Sequence, residues 1–193
     1  MNIVLIGYRG TGKSSVGKLL STVLEMELVE MDLLIAKKAK LPIPQIVKKF
    51  GWDTFRDMES ELTKGVSQRD NCVIDTGGGV VLREENVECL KADGLVFWMK
   101  AGRETIIERI KDSEERPSLT GTKSFVEEVE DVLKAREPLY QAAAEWIIET
   151  DGKSVAEVTA EIIKTLLQVD ELDDLKGKLE EGLKRVEEIE QEI

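Results

Sequence analysis

Gly7, Gly10, Gly12, Lys13 and Ser14 stand in the spacing G-x-x-x-x-G-K-[ST], inside IGYRGTGKSSVGKLL at residues 6–20. In this pattern glycines let backbone N–H groups curl around phosphate oxygens. The lysine reaches the terminal phosphates and the next hydroxyl holds Mg²⁺. The apolar run NIVLI before the motif reads as a strand, and Val16, Leu19, Leu20 and Val23 after it keep a helical period. A helix starting here points the positive end of its dipole at the anion. The spacing predicts a nucleoside triphosphate site and leaves the phosphoryl acceptor to be sought elsewhere.

Four further places carry chemistry. Glu30 and Asp32 flank Met31, and in an extended chain they share one side. A carboxylate there can orient water around Mg²⁺ or accept a proton from a substrate hydroxyl; the competing reading is an acidic helix start favoured by the dipole. Asp75 precedes Gly77, Gly78 and Gly79, so an acid towards Mg²⁺ runs into glycines that let a backbone approach a ligand. Arg56 in TFRDMES and Arg136 in KAREPLY lie on separate predicted helices and suit a carboxylate clamp, because guanidinium pairs with carboxylate through two parallel bonds. Arg116, in the polar stretch 112–124, suits a lid that closes over the transferring phosphoryl group and excludes water. The chain has no histidine, so a general base must be a carboxylate.

Elements that alternate in type must position these residues. Strands are predicted at 2–6, 26–32, 71–79 (running into the glycine turn), 94–100 and 145–150. Helices are predicted after the phosphate motif, at 33–49 with a break at Leu41–Pro44, and at 53–69, 83–92, 102–112, 124–143 and 153–168. Strands separated by helices make βαβ units and a parallel sheet. The nearly continuous apolar runs VLI, CVI, LVFW and WII suit strands buried on both faces. Ligands of such a sheet gather beyond the carboxyl ends of its strands, where Glu30-Met31-Asp32 and the glycines after Asp75 fall.

Composition narrows the class. With 193 residues, 41% hydrophobic and 34% charged, the chain reads as a globular domain with an appendage. A net charge of −12 without a basic stripe argues against nucleic acid as a partner. No basic leader and no apolar run of about 18 residues is seen, so neither export nor a membrane span is expected, and the expected location is cytoplasmic. Cys72 and Cys89 read as buried free thiols.

Taken in order, the phosphate motif, the acid-x-Asp pair, IPQI, FRDME, VIDTGGGVVLREEN, the ERP stretch, AREPLY and TDGKSVAEV resemble the shikimate kinase family over residues 1–168. The resemblance implies a three-layer α/β/α P-loop kinase with a central parallel sheet. Its activity would be ATP-dependent phosphorylation of the shikimate 3-hydroxyl, toward chorismate and the aromatic amino acids. It further implies that Gly10, Thr11, Gly12, Lys13, Ser14 and Ser15 hold the ATP phosphates, with Ser14 on Mg²⁺. Asp32 would bind the acceptor hydroxyls and serve as base. Arg56 and Arg136 would clamp the carboxylate, Gly78 and Gly79 would contact the ring, and Arg116 would act from the lid. Arg109 and the loop around Lys153 would flank adenine. Three departures stand out: Glu30 in place of an aspartate, Trp52 in place of a glutamate, and Ser118 where a leucine is usual. The other readings are a gluconate- or nucleotide-type P-loop kinase, or a non-catalytic nucleotide-binding module whose tail recruits a partner.

Residues 169–193 extend beyond the resemblance and carry half of the net charge. Leu172, Leu179, Val186 and Ile193 fall at one heptad position, and Leu175, Gly182 and Ile189 at the other. That pattern predicts an acidic amphipathic helix. It either packs on its own domain, leaving a monomer, or pairs with a second copy as a coiled coil.

Overall fold

The computed structural model describes residues 1–111 and 125–191, and the side chains of these except 125–127. Five parallel strands, β1 (Asn2–Ile6), β2 (Glu27–Glu30), β3 (Cys72–Asp75), β4 (Gly94–Lys100) and β5 (Trp146–Glu149), form one sheet in the order β2-β3-β1-β4-β5. β1 lies at its centre, with Leu5 beside Asp75 on one flank and Phe97 on the other. The chain leaves β1 toward β2 and later returns to the opposite side at β4. The carboxyl end of β1 is therefore the switch point where ligands of open α/β sheets bind, and the glycine-rich loop issues from it.

Alternation along the strands divides the core. Ile3, Leu5, Val73, Phe97 and Met99 face one side, where they meet α1 (Lys13–Val23), α7 (Val155–Leu166) and α8 (Lys176–Gln191). Val4, Ile6, Ile74, Val96 and Trp98 face the other, against α3 (Ile43–Val66), α4 (Glu84–Ala92) and α6 (Phe125–Ala143). This is the α/β/α sandwich expected, built from strands apolar on both faces. Two smaller clusters lie outside it. Tyr8, Ile106, Ile110 and Val129 pack beneath α5 (Arg103–Ile110), while Ile35, Ile46 and Phe55 join α2 (Met31–Ala39) to α3.

One boundary differs from the sequence expectation and another is refined. The second strand stops at Glu30, and Asp32 lies in the first turn of α2. The extended-chain alternation of Glu30 and Asp32 is thus replaced by the acidic helix start, which the dipole favours. The expected break at Leu41–Pro44 falls between α2 and α3, and the expected gap between 49 and 53 falls at a kink inside α3, whose backbone breaks at Gly51 with φ 84° and ψ 168°. Only glycine occupies that region comfortably. A side chain at residue 51 would meet nothing within 4 Å, so the glycine is required for direction and not for room.

The tail forms a short 3₁₀ segment, Asp170–Leu175, followed by α8. Its heptad seam turns inward: Leu179 and Val186 are buried against α1 and α7, with Leu172, Leu175 and Ile189 packed around them. Gly182 is also buried, so close to Leu24 that an added methyl would come within 2.5 Å of its Cδ2. Arg185 donates to the Val23 carbonyl and pairs with Glu25 at 2.8 Å. In this structure the seam packs within the chain; Ile193 lies outside the described residues. Cys72 is buried and Cys89 only half-buried, and both are free thiols. Among the described residues no helix is long and apolar enough to cross a membrane.

Candidate active site

Four clefts meet above the carboxyl ends of β1 and β3. The first is lined by Gly10, Gly12, Lys13, Ser14, Ser15 and Arg109, with a volume of about 270 Å³. It is the cradle around the start of α1. Lys13 is buried and donates to the carbonyls of Gly7 at 2.9 Å and Tyr8 at 3.0 Å. Thr11 is buried as well, its hydroxyl held by the Tyr8 carbonyl at 2.8 Å. These bonds fix the loop conformation through its own backbone.

The second cleft, about 330 Å³, continues from Gly10 and Ser15 to Thr150, Lys153, Ser154 and Val158. Arg109 ties its walls together, donating to the Gly10 carbonyl at 3.2 Å, to Thr150 Oγ1 at 3.1 Å and to the Thr150 carbonyl at 3.0 Å. Ser154 caps α7 in a reciprocal capping box with Glu157, which sets the entry of the helix. Lys153 pairs with Glu161 one side away.

The third cleft, about 120 Å³, is lined by Lys13, Ser14, Glu30, Asp32, Asp75 and Thr76. Ser14 donates to Asp75 Oδ2 at 2.6 Å. Burial raises the Asp75 pKa against the opposing pull of Lys13 and the Ser14 hydroxyl, and the nearby Asp32 and Glu30 raise it further. Such a carboxylate, costly to ionise unaided, is well placed for a cation. Glu30 lies at the rim, 3.7 Å from Lys18.

The fourth cleft, about 60 Å³, is lined by Tyr8, Arg9, Asp32, Trp52, Arg56, Glu59, the three glycines 77–79 and Arg136. Arg136, on α6, is buried and donates to the Gly78 carbonyl at 2.9 Å. Tyr140, one turn further on, donates to the same carbonyl, and its burial lifts the phenol pKa to about 12, so it stays a donor. Arg56 pairs with Glu59 at 2.6 Å and lies flat on Gly79. A methyl group at Gly77 would come within 2.7 Å of Glu59 Oε1 and 2.8 Å of Asp32 Oδ1, so both carboxylates converge on that glycine.

The structure brings the described residues expected to meet ATP, acceptor or Mg²⁺, from Gly10 to Lys153, to the lining of these adjoining clefts; Arg116 and the stretch 112–124 lie outside the described residues. It also adds two residues that sequence reading missed. Glu59 is fully buried, with Oε1 lacking a hydrogen-bond partner among the described residues. Burial raises its pKa and the Asp32 carboxylate adds to the shift, against the pull of Arg56. Its position three residues after Arg56 was the available signal. Arg9 lines both the phosphate cradle and the fourth cleft and is held by buried Glu128 at 2.8 Å. A cation inside the glycine loop was the hint.

The shikimate kinase family model matches residues 9–167. A shikimate kinase of Thermodesulfovibrio yellowstonii is 44% identical over 163 residues, covering 84% of this chain and 93% of that one. Among solved structures, the Acinetobacter baumannii shikimate kinase in complex with shikimate superposes with a TM-score of 0.82 at 32% identity, covering 86% of this chain and 92% of that one. The Aquifex aeolicus shikimate kinase superposes with a TM-score of 0.76 at 35% identity, covering 91% and 99%.

Proposed function

Because the chain belongs to the shikimate kinase family, we propose that its four clefts act together to move the γ-phosphoryl group of ATP onto the 3-hydroxyl of shikimate. The observation that carries this reading is the place of Asp32, whose carboxylate lines both the cleft of Lys13, Ser14 and Asp75 and the cleft of Arg56 and Arg136. A base at that shared wall faces donor and acceptor at once.

ATP lies along the first two clefts, its phosphates over the amides of Gly10–Ser15 and its base between Arg109 and the Lys153 loop. Lys13 exchanges its carbonyl contacts for the phosphate oxygens. The shikimate carboxylate is taken by Arg56 and Arg136, with Gly78 and Gly79 allowing the ring close to the backbone. This leaves the hydroxyl end toward Asp32, which accepts the proton as the oxygen attacks phosphorus. Holding both partners in line is the larger part of catalysis in such transfers. Arg116 serves from the lid by family resemblance, stabilising charge on the transferring group.

Mg²⁺ fits the donors present. It takes one or two carboxylates and keeps several waters, and Ser14 with Asp75 offers a hydroxyl and a buried carboxylate 2.6 Å apart. Glu30 would reach the ion through water. Held there with ATP, such an ion would supply positive charge to offset that of the phosphates. The reaction belongs on the route to chorismate and the aromatic amino acids, in the cytoplasm, and the kinase domain of residues 1–168 works as a monomer with its tail folded against it.

The test is ADP release by the purified chain with ATP and Mg²⁺, alone and with shikimate, gluconate or deoxynucleosides. Strong stimulation by shikimate only is expected. Equal release with every acceptor, or preference for an uncharged one, rejects the reading.

A further inference from the structure

Trp52 begins the second half of α3, directly after the Gly51 kink, and joins the wall of the fourth cleft. The Arg56 guanidinium carbon lies 5.3 Å from the centre of its ring and 5.0 Å from that of Phe55. The two rings meet edge to face, 5.8 Å apart at 83°. Glu59 binds Arg56 through Nη1, and Gly79 presses against the guanidinium from the loop.

A guanidinium is planar and carries five N–H donors. One bond to Glu59 fixes a point on it but leaves rotation about that bond. A ring set against the cation restricts that rotation while attracting the charge and without using any N–H. We propose that Trp52 is a positioning residue for the acceptor: its indole, with Phe55 beside it, holds the Arg56 guanidinium in place so that the remaining N–H groups meet the acceptor carboxylate as a fork. The proposal rests on the fourth cleft being the shikimate site. It goes further by naming the side chain that sets how well Arg56 performs there.

The experiment compares the intact enzyme with Trp52→Phe, Trp52→Leu, Arg56→Ala and the Trp52→Leu/Arg56→Ala pair, measuring kcat and both KM values. Trp52→Leu keeps apolar bulk but has no π face. It should raise the shikimate KM roughly 3- to 10-fold, the scale of a partly desolvated cation–π contact, with kcat and the ATP KM nearly unchanged. Trp52→Phe should restore most of the affinity. In the Arg56→Ala background the leucine should add nothing, because the group it positions is gone. A second readout does not depend on the leucine variant folding. Trp98 stacks on Tyr140 and Trp146 on Phe97, leaving Trp52 as the indole at the acceptor cleft. Shikimate should change tryptophan emission in the intact enzyme and much less in Trp52→Phe. The brace is overturned if Trp52→Leu binds shikimate normally, if phenylalanine fails to rescue, if the leucine effect persists in full without Arg56, or if the emission responses are equal. If Arg56→Ala itself leaves the shikimate KM unchanged, the acceptor site is misplaced and the brace falls with it.

Discussion

Arg56 lies so close to Gly79 that a methyl group there would fall 2.2 to 2.3 Å from three atoms of the guanidinium. Any side chain at residue 79 must move Arg56 off its bed. Gly79→Ala should therefore raise the shikimate KM about 30-fold or more, as loss of a buried charge-assisted pair of ~2–5 kcal/mol does, and spare ATP binding. Steady-state kinetics with each substrate varied will check this; unchanged kinetics in a folded variant would show that Arg56 does not hold the acceptor.

The paired arginines give a sharper expectation. Arg56→Ala and Arg136→Ala should each raise the shikimate KM by roughly 30- to 5,000-fold, with the ATP KM almost untouched. Arg→Lys should rescue poorly, since an ammonium keeps the charge but cannot form two parallel bonds. A neutral shikimate analogue should lose little further activity in Arg56→Ala. Losses that multiply independently would point to an acceptor without a carboxylate.

Glu59 makes stability depend on pH with a definite sign. Its carboxyl pKa is raised in the folded chain, first by burial. The unfolded chain therefore releases this proton first, near pH 4.3, and each further rise in pH disfavours the fold until the folded carboxyl has also ionised. The contribution is complete below about pH 4.3 and is lost as pH rises through the folded value. Urea unfolding of the wild type and Glu59→Gln at several pH values should show the difference drifting in favour of glutamine across that window. A drift in favour of the wild type contradicts the assignment.

Removal of residues 170–193 should leave kcat nearly unchanged, since none of the described clefts includes a tail residue. It should cost stability, because Leu179 and Val186 are fully buried, and such side chains contribute ~1.5–3 kcal/mol each. Leu179→Ala is the milder version, with an expected loss of ~2–5 kcal/mol. Thermal melts alongside ADP release separate the two effects; lost turnover in a folded truncation would mean that the tail completes the site.

Much of this arrangement was legible in the chain, for reasons of period. NIVLI and LVFW are too short and too uniformly apolar for surface helices, and Val16, Leu19, Leu20 and Val23 mark one helical stripe. The exit of Asp32 from the strand was legible only as an alternative, because Glu30-Met31-Asp32 suits an extended strand end as well as the acidic helix start that α2 makes of it. The interruption at Gly51 was legible, since the expected helices stop at 49 and resume at 53; that both halves belong to one kinked helix is recorded only in the structure. Glu59 was overlooked for a different reason. A glutamate next to an arginine on a helix usually faces water, and only the approach of Gly77 from β3 encloses it. The tail showed its seam plainly, but its partner, α1 or a second copy, depends on surface that no local pattern describes.

The acceptor cleft draws its walls from separately packed parts of the molecule. Phe55 belongs to the cluster joining α2 and α3, Tyr8 to the cluster beneath α5, and Tyr140 beside Arg136 to the main core on one face of the sheet. On the proposed reading, a small acid gripped by Arg56 from α3 and Arg136 from α6 would be a removable cross-link between these parts. While such an acid is bound, relative movement of the parts would also have to break its charged hydrogen bonds; once it leaves, they are joined by the protein's own contacts alone, among them the bonds of Arg136 and Tyr140 to the Gly78 carbonyl and the Arg9–Glu128 pair.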